Sequence, residues 1–402
     1  MGALTTRGAT SILSESPAAR ISYFKDFAVA HPLLVEAKDR LREAIAEAAP
    51  NSLIIVSGPT GVGKTTLLLK IKQLLSAKVV QESGREQPTR LPVAIVEAIP
   101  PESRMFSWRA QFMRLLEAMN DPLVTSKRRP NSADRSAQML RAFPNDRGAT
   151  ADYHYAVEQA IRYRRPYAVL IDEAQHLFAT ASGRQLEDQL NVVKSLANRC
   201  NTVHVLCGTY DLLRIRNLSG QLSRRSIDIH FPRYEATKSN DARTFLRVLH
   251  AFAEHVPLEE MPDLKRHWEY LYERSIGCVG ILKDWLLRSL ATAIGESAPI
   301  LSLKHLEKHA LSASQCQRLI EEASLGEVQF RDSDEVRQSL RVRLGLPECS
   351  TDEVSAHNGH QTRQQRPGQR CPKRDETGLG GCHERVQNVA LRGMEPSGAA
   401  FS

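Results

Sequence analysis

Apolar and polar positions along this chain fall into two regimes. A short, continuous apolar run stands at 53–56, and four more strand candidates follow at 93–96, 168–171, 203–206 and 227–231. Runs with no polar face predict strands buried on both sides. Between them apolar residues return every three or four positions, at 108–119, 152–162 and 185–198, which predicts helices with one buried face. Such alternation predicts a parallel α/β sheet of five strands. Upstream, Leu33, Leu34, Ala37, Leu41, Ala44 and Ile45 give residues 23–49 a helical pattern. After Tyr234 the strand pattern stops. Residues 241–254, 264–274, 281–293 and 303–311 then predict the helices of a small all-α domain.

The remaining stretches set the expected domain limits. Residues 1–22, rich in Ser, Thr, Ala and Gly, are expected to be a flexible arm, followed by an α/β domain over 23–235 and a helical domain over 236–322. An extension covers 323–402, disordered beyond 346, where large apolar residues become scarce. Residues 121–150, between the second and third strands, read as a surface insertion carrying Lys127, Arg128 and Arg129.

Charge and composition narrow the picture modestly. The 402 residues carry 54 Lys+Arg against 46 Asp+Glu, an excess of +8. The segment from Leu346 onward holds seven bases and seven acids, so the excess sits upstream of it. That excess permits a polyanionic partner without requiring one. No apolar stretch approaches the ~18 residues of a membrane span, and the first residues lack a signal-peptide pattern. Seven scattered cysteines with no C-x-x-C pair suit a reducing cytoplasm. The cysteines and histidines of the last segment match no compact zinc spacing.

Two motifs carry the chemistry. Gly58-Pro59-Thr60-Gly61-Val62-Gly63-Lys64-Thr65, with Thr66 after it, fits G-x-x-x-x-G-K-[ST] between a predicted strand and a predicted helix. Glycines there let backbone N–H groups and a helix N-terminus wrap phosphates. Lys64 would reach the β- and γ-phosphates and Thr65 would hold Mg²⁺. The run Tyr167-Ala168-Val169-Leu170-Ile171-Asp172-Glu173 ends a strand in two carboxylates. Asp172 can reach the Mg²⁺ shell, while Glu173 can orient or deprotonate water. That pair favours NTP hydrolysis over transfer to a small acceptor.

Three further positions complete the expected site. Thr209, after the fourth strand, is placed to sense the γ-phosphate. Arg224 or Arg225, before the fifth, could act as a finger into a neighbouring subunit's site, or could be ordinary surface arginines. Lys283 follows Gly280 at the head of a helix and could touch the nucleotide, or could be a solvated helix residue.

Together the phosphate loop, the 170–177 run with Asp172-Glu173-Ala174-Gln175-His176-Leu177, the Gly208-Thr209 turn and the paired arginines resemble an AAA+ ATPase. Within that group the run and the short helical lid are most similar to the TniB/TnsC transposition ATPases, although ATPases of the ExeA type share similar strings. The resemblance implies an α/β AAA+ P-loop NTPase core with a parallel five-stranded sheet, a small all-α lid domain and a disordered C-terminal tail. It implies ATP and Mg²⁺ as cofactors, in a bacterial cytoplasm with no membrane. It also implies a homo-oligomer, ring or filament, assembled on duplex DNA and disassembled by hydrolysis. Such an assembly joins a target selector of the TniQ/TnsD class to a transposase of the TniA/TnsB class. By position, Lys64 and Thr65 take the phosphate and metal roles, Asp172 the metal aspartate, Glu173 the catalytic acid, Thr209 the first sensor and Arg224 or Arg225 the finger. Lys283 stands where many AAA+ proteins carry Arg. DNA contacts would come from Arg104, Lys127, Arg128 and Arg129, a region that also fits a solvated insertion. The alternative function is an ATPase switch that assembles on a protein partner without DNA.

Overall fold

The fold rests on five parallel strands: β1 (Leu53–Ser57), β2 (Val93–Glu97), β3 (Ala168–Asp172), β4 (Val203–Gly208) and β5 (Ser226–His230). Their order across the sheet is β2-β3-β4-β1-β5. A computed structural model of the protein describes residues 12–49, 51–83, 90–101, 106–127, 146–216, 226–330 and 334–346.

Every residue of β1 and β3 is buried, and the pleat divides them between two cores. Ile54, Val56, Leu170 and Val205 pack on one side with Leu41 of helix α2 (Pro32–Glu47) and Leu67, Leu68 and Ile71 of helix α3 (Lys64–Ser83). Leu53, Ile55, Val169 and Ile171 pack on the other. There they meet Phe112 and Leu116 of α4 (Trp108–Ala118), Val157 of α5 (Asp146–Arg164) and Leu190 of α6 (Arg184–Cys200). Each fully buried Leu or Ile is worth about 1.5–3 kcal/mol, so helices on both faces are what an all-apolar strand demands.

The register brings chemistry to one edge. Ser57 pairs with Gly208 and Glu97 with Asp172, so the strands' C-terminal ends lie level. β1 sits between β4 and β5, where connections diverge and a crevice opens.

The helical part follows as α7 (Ser239–Glu254), α8 (Trp268–Ser275), α9 (Val279–Gly295), α10 (Leu303–His309) and α11 (Ala313–Val328). Its core gathers Phe245, Phe252, Trp285 and Leu286. Phe24 belongs to the same core and Ile21 packs against it, so the described end of the arm expected over 1–22 is anchored. Helix α1 (Pro17–Asp26) starts there because Ser16 caps it, accepting from Ala19 N–H at 3.3 Å, and Pro17 suits the first turn. Arg20 donates to the Pro257 carbonyl at 3.0 Å through Nε, which fastens α1 to the helical part. The continuous pattern over 23–49 is also broken, because residue 27 turns extended and Pro32 restarts the chain as α2.

Residues from Ser333 onward form a separate unit, in which α12 (Asp334–Arg343) is described. The expected disorder beyond 346 lies outside the described residues. No helix among the described residues is long and apolar enough to cross a membrane.

Candidate active site

The phosphate loop leaves β1 and ends where α3 begins at Lys64. Its backbone is held from two sides. Gly58 N–H donates to Gly208 O at 3.3 Å, and Gly61 O accepts from Ile281 N–H at 3.1 Å. Gly61 has φ +75°, and a Cβ there would come 2.4 Å from the Ile281 side chain. The head of α9 therefore rests directly on the loop. Lys64 is buried, and its ammonium donates to Gly58 O at 3.1 Å and Pro59 O at 2.9 Å. It is thus aimed along the loop's inner curve.

Thr65, in the first turn of α3, meets Asp172 at the end of β3: its hydroxyl donates to Asp172 Oδ2 at 2.6 Å. Asp172 Oδ1 accepts from Glu173 N–H at 2.9 Å. Burial raises the Asp172 pKa above its ordinary value, and these two hydrogen bonds together with the nearby Lys64 charge oppose that rise. The hydroxyl and the carboxylate are hard oxygen donors that fit Mg²⁺. Among the described residues no cluster of three His, Cys, Asp or Glu could hold a metal, so a cation here would draw its other ligands from phosphate and water.

Glu173 adopts a left-handed backbone at φ +49°, which costs a non-glycine residue roughly 1 kcal/mol or more. Its carboxylate accepts from Gln175 Nε2 at 2.5 Å. The same amide's oxygen accepts from Thr209 N–H at 3.2 Å. One glutamine thus ties the expected catalytic acid to the expected sensor turn. Gly208 makes room for it, since a Cβ there would lie 2.2 Å from Gln175 Oε1. Sequence reasoning missed this bridge. Gln175 was visible only as a letter in the 170–177 run, and its role depends on β3 and β4 being neighbours.

Thr209 carries its hydroxyl toward Asp211 Oδ2 at 3.4 Å. Beside it a cavity of ≈480 Å³ is lined by Pro59, Thr60, Thr209, Arg214, Glu322 and Gly326. Its far wall is α11, another feature the sequence did not reveal. Gly326 lies so close to Tyr210 that a Cβ would fall 2.0 Å from the ring. Tyr210 OH is 2.8 Å from His230 Nε2, and His230 stacks on Phe330 at 4.2 Å between centroids. Arg233 pairs with Glu327, with Nε 3.0 Å from Oε1. Helix α11 is therefore latched to the residue following Thr209.

The other expected residues are placed as follows. The Lys283 ammonium donates to Lys25 O at 2.7 Å, so it fastens α9 to α1. The contact that α9 makes with the loop comes instead from Ile281. Lys127 forms an ion pair with Asp121. Arg104, Arg128, Arg129, Arg224 and Arg225 lie outside the described residues.

Residues 48–216 match the AAA domain family. No curated protein matches the chain by sequence. Among solved structures, the chain is similar to the ORC2 protein of Aeropyrum pernix at 15% identity and a TM-score of 0.47, over 83% of this chain and 87% of that one. It is similar to a Walker-type ATPase of Pyrococcus abyssi at 15% identity and a TM-score of 0.40, over 77% and 75%. A DNA replication initiation factor aligns at 12% identity and a TM-score of 0.35, over 68% and 66%. The assignment rests on the AAA match and on the site itself.

Proposed function

We propose that this chain, an ATPase built on an AAA+ P-loop core, uses ATP hydrolysis to control its own assembly on duplex DNA as a regulator of DNA transposition. In that reading it links a target selector of the TniQ/TnsD class to a transposase of the TniA/TnsB class, and hydrolysis disassembles the oligomer. The observation that carries the switch is the Gln175 bridge, which joins Glu173 to the Thr209 turn. The same glutamine belongs to the Asp-Glu-Ala-Gln-His-Leu run on which the resemblance to TniB/TnsC ATPases rests.

The chain's residues divide the chemistry. Loop N–H groups and Lys64 bind the β- and γ-phosphates, while Thr65 and Asp172 would hold Mg²⁺, which would neutralise phosphate charge. Glu173 orients a water and accepts its proton as the water attacks the γ-phosphorus and the bond to ADP breaks. Thr209 senses the γ-phosphate, and Gln175 passes that state to the acid. The cavity beside Thr60 and Thr209 gives room for an arginine, Arg224 or Arg225, of a second copy. Lys127, Arg128 and Arg129, with Arg104, would contact DNA phosphates, giving little base specificity and strong salt dependence.

ATP turnover and sedimentation of the purified protein, with and without non-specific duplex DNA at low and high salt, test the proposal. ATP-dependent assembly that DNA promotes and salt abolishes supports it. Assembly with ATP that ignores DNA even at low salt overturns it in favour of a switch acting on a protein partner.

A further inference from the structure

The nucleotide site occupies the C-terminal edge of the sheet. At the opposite edge, one strand length away (~15 Å), the chain runs Arg162-Tyr163-Arg164-Arg165-Pro166-Tyr167 from α5 into β3. Two backbone bonds clamp this run to the segment leading into β2: Leu91 N–H donates to Arg164 O at 3.0 Å and Tyr167 N–H to Pro92 O at 2.9 Å. Arg90 therefore lies alongside. Its guanidinium is 4.6 Å, and the Lys78 ammonium 5.1 Å, from the centre of the Tyr167 ring.

On the other flank Arg162 donates to Arg199 O at 3.0 Å. Their guanidinium groups stand 3.9 and 3.2 Å from the buried Glu158 carboxylate. In the middle, Arg164 donates to Asn120 O at 2.9 Å and lies 5.7 Å from the Tyr163 ring, which is 64% exposed. Asn120 directly precedes Asp121, the partner of Lys127, so this edge adjoins the root of the basic insertion.

The edge gathers six cations, Lys78, Arg90, Arg162, Arg164, Arg165 and Arg199, and two carboxylates: Glu82 pairs with Lys78 and Arg90, and Glu158 with Arg162 and Arg199. Its excess of four is half of the chain's formal +8. Several of these guanidinium groups are already oriented by carbonyls or rings, so ordering them against phosphate forfeits little side-chain freedom. An acidic membrane would favour a collar of exposed apolar anchors around such cations, and among the described residues of the run only Tyr163 is a large exposed one.

We propose that this N-terminal sheet edge binds the phosphate backbone of duplex DNA, a second contact face beyond the insertion. The proposal rests on the DNA-binding reading above and adds to it residues that motif analysis did not single out. Contact is electrostatic and independent of base sequence, with the exposed Arg162 and Arg165 reaching phosphates.

The test is fluorescence anisotropy of a labelled random-sequence duplex across a salt series. It compares the wild type with Arg162→Gln/Arg165→Gln, which leaves Arg164 on Asn120, and with Arg90→Gln. An unchanged melting midpoint verifies that each variant folds. Each phosphate contact contributes about 0.9 to the slope of log K against log salt. The double variant is therefore expected to lower that slope by about 2 and to weaken binding at least ~10-fold at low salt. If the wild type binds and the double variant keeps its slope and affinity, this face is wrong while DNA binding stands. If the wild type binds no DNA at any salt, the DNA reading fails and this proposal with it. If the substitutions instead abolish binding to phosphatidylglycerol vesicles while DNA binding is unaffected, the edge serves a lipid surface and the proposal is overturned.

Discussion

The Gln175 bridge makes a prediction that needs three variants. In Gln175→Ala two hydrogen bonds are lost, one to the Glu173 carboxylate at 2.5 Å and one from Thr209 N–H at 3.2 Å. In Gly208→Ala the glutamine stays, but the new Cβ would lie 2.2 Å from its oxygen, and the amide must swing away. The two substitutions therefore remove one interaction from opposite ends. A hydrogen bond to a charged group is worth about 1.5–3 kcal/mol and a neutral one about 0.5–1.5. If the bridge holds Glu173 in place in the transition state, each single variant loses ~2–4 kcal/mol of barrier lowering, or roughly 30- to 900-fold in kcat. Because both act through the same amide, the double variant should be no slower than the slower single one, a coupling comparable to the single effects. Steady-state phosphate release gives kcat, and a fluorescent ATP analogue checks that nucleotide still binds. Independent, additive losses would refute the bridge, as would full activity in Gln175→Ala.

Three other predictions follow from the same geometry. Because burial raises the Asp172 pKa, its charge opposes folding at neutral pH, so Asp172→Asn should raise the melting midpoint of the nucleotide-free protein while abolishing Mg²⁺-dependent turnover. A carboxyl whose folded pKa is raised costs stability as pH climbs from the ordinary carboxylate range, so melting curves should show the gain at pH 7 shrinking toward pH 4. Gly326→Ala places a Cβ 2.0 Å from the Tyr210 ring, so it should cost about 1–3 kcal/mol in urea unfolding and open α11 to limited proteolysis. Lys283→Ala should change kcat less than about threefold and cost ~0.5–1.5 kcal/mol of stability, because the hydrogen bond it loses is the one to Lys25 O. A hundredfold drop in kcat would instead put its ammonium on the nucleotide.

The separation between what was legible in the sequence and what was not follows how local each signal is. The phosphate loop, the acidic strand end and the alternation of buried strands with helices are short-range patterns. Gly58 through Thr65 and Asp172 with Glu173 could be picked out because each role needs a residue type at a fixed spacing from its neighbours. The helical pattern over 23–49 was local too, but it could not show that Pro32 begins a separate helix or that Phe24 belongs to the core of a region more than 200 residues away. The partner of Lys283 was hidden for the same reason. Its distance from Gly280 was visible, whereas the Lys25 carbonyl that receives its ammonium comes from the far end of the chain.

By itself, then, the amino-acid sequence determined the class of fold and marked the candidates for phosphate and metal contact, because hydrophobic period and motif spacing are properties of neighbouring positions. Only the tertiary structure decided which residues meet. Strand order set β3 beside β4 and so made Gln175 a bridge between Glu173 and Thr209. It also folded α11 back against Tyr210 and aligned the Arg162–Tyr167 run with Arg90 on the far edge of the sheet. These contacts join segments tens to more than a hundred residues apart. Their partners are selected by the burial of whole faces, and no local pattern records that choice.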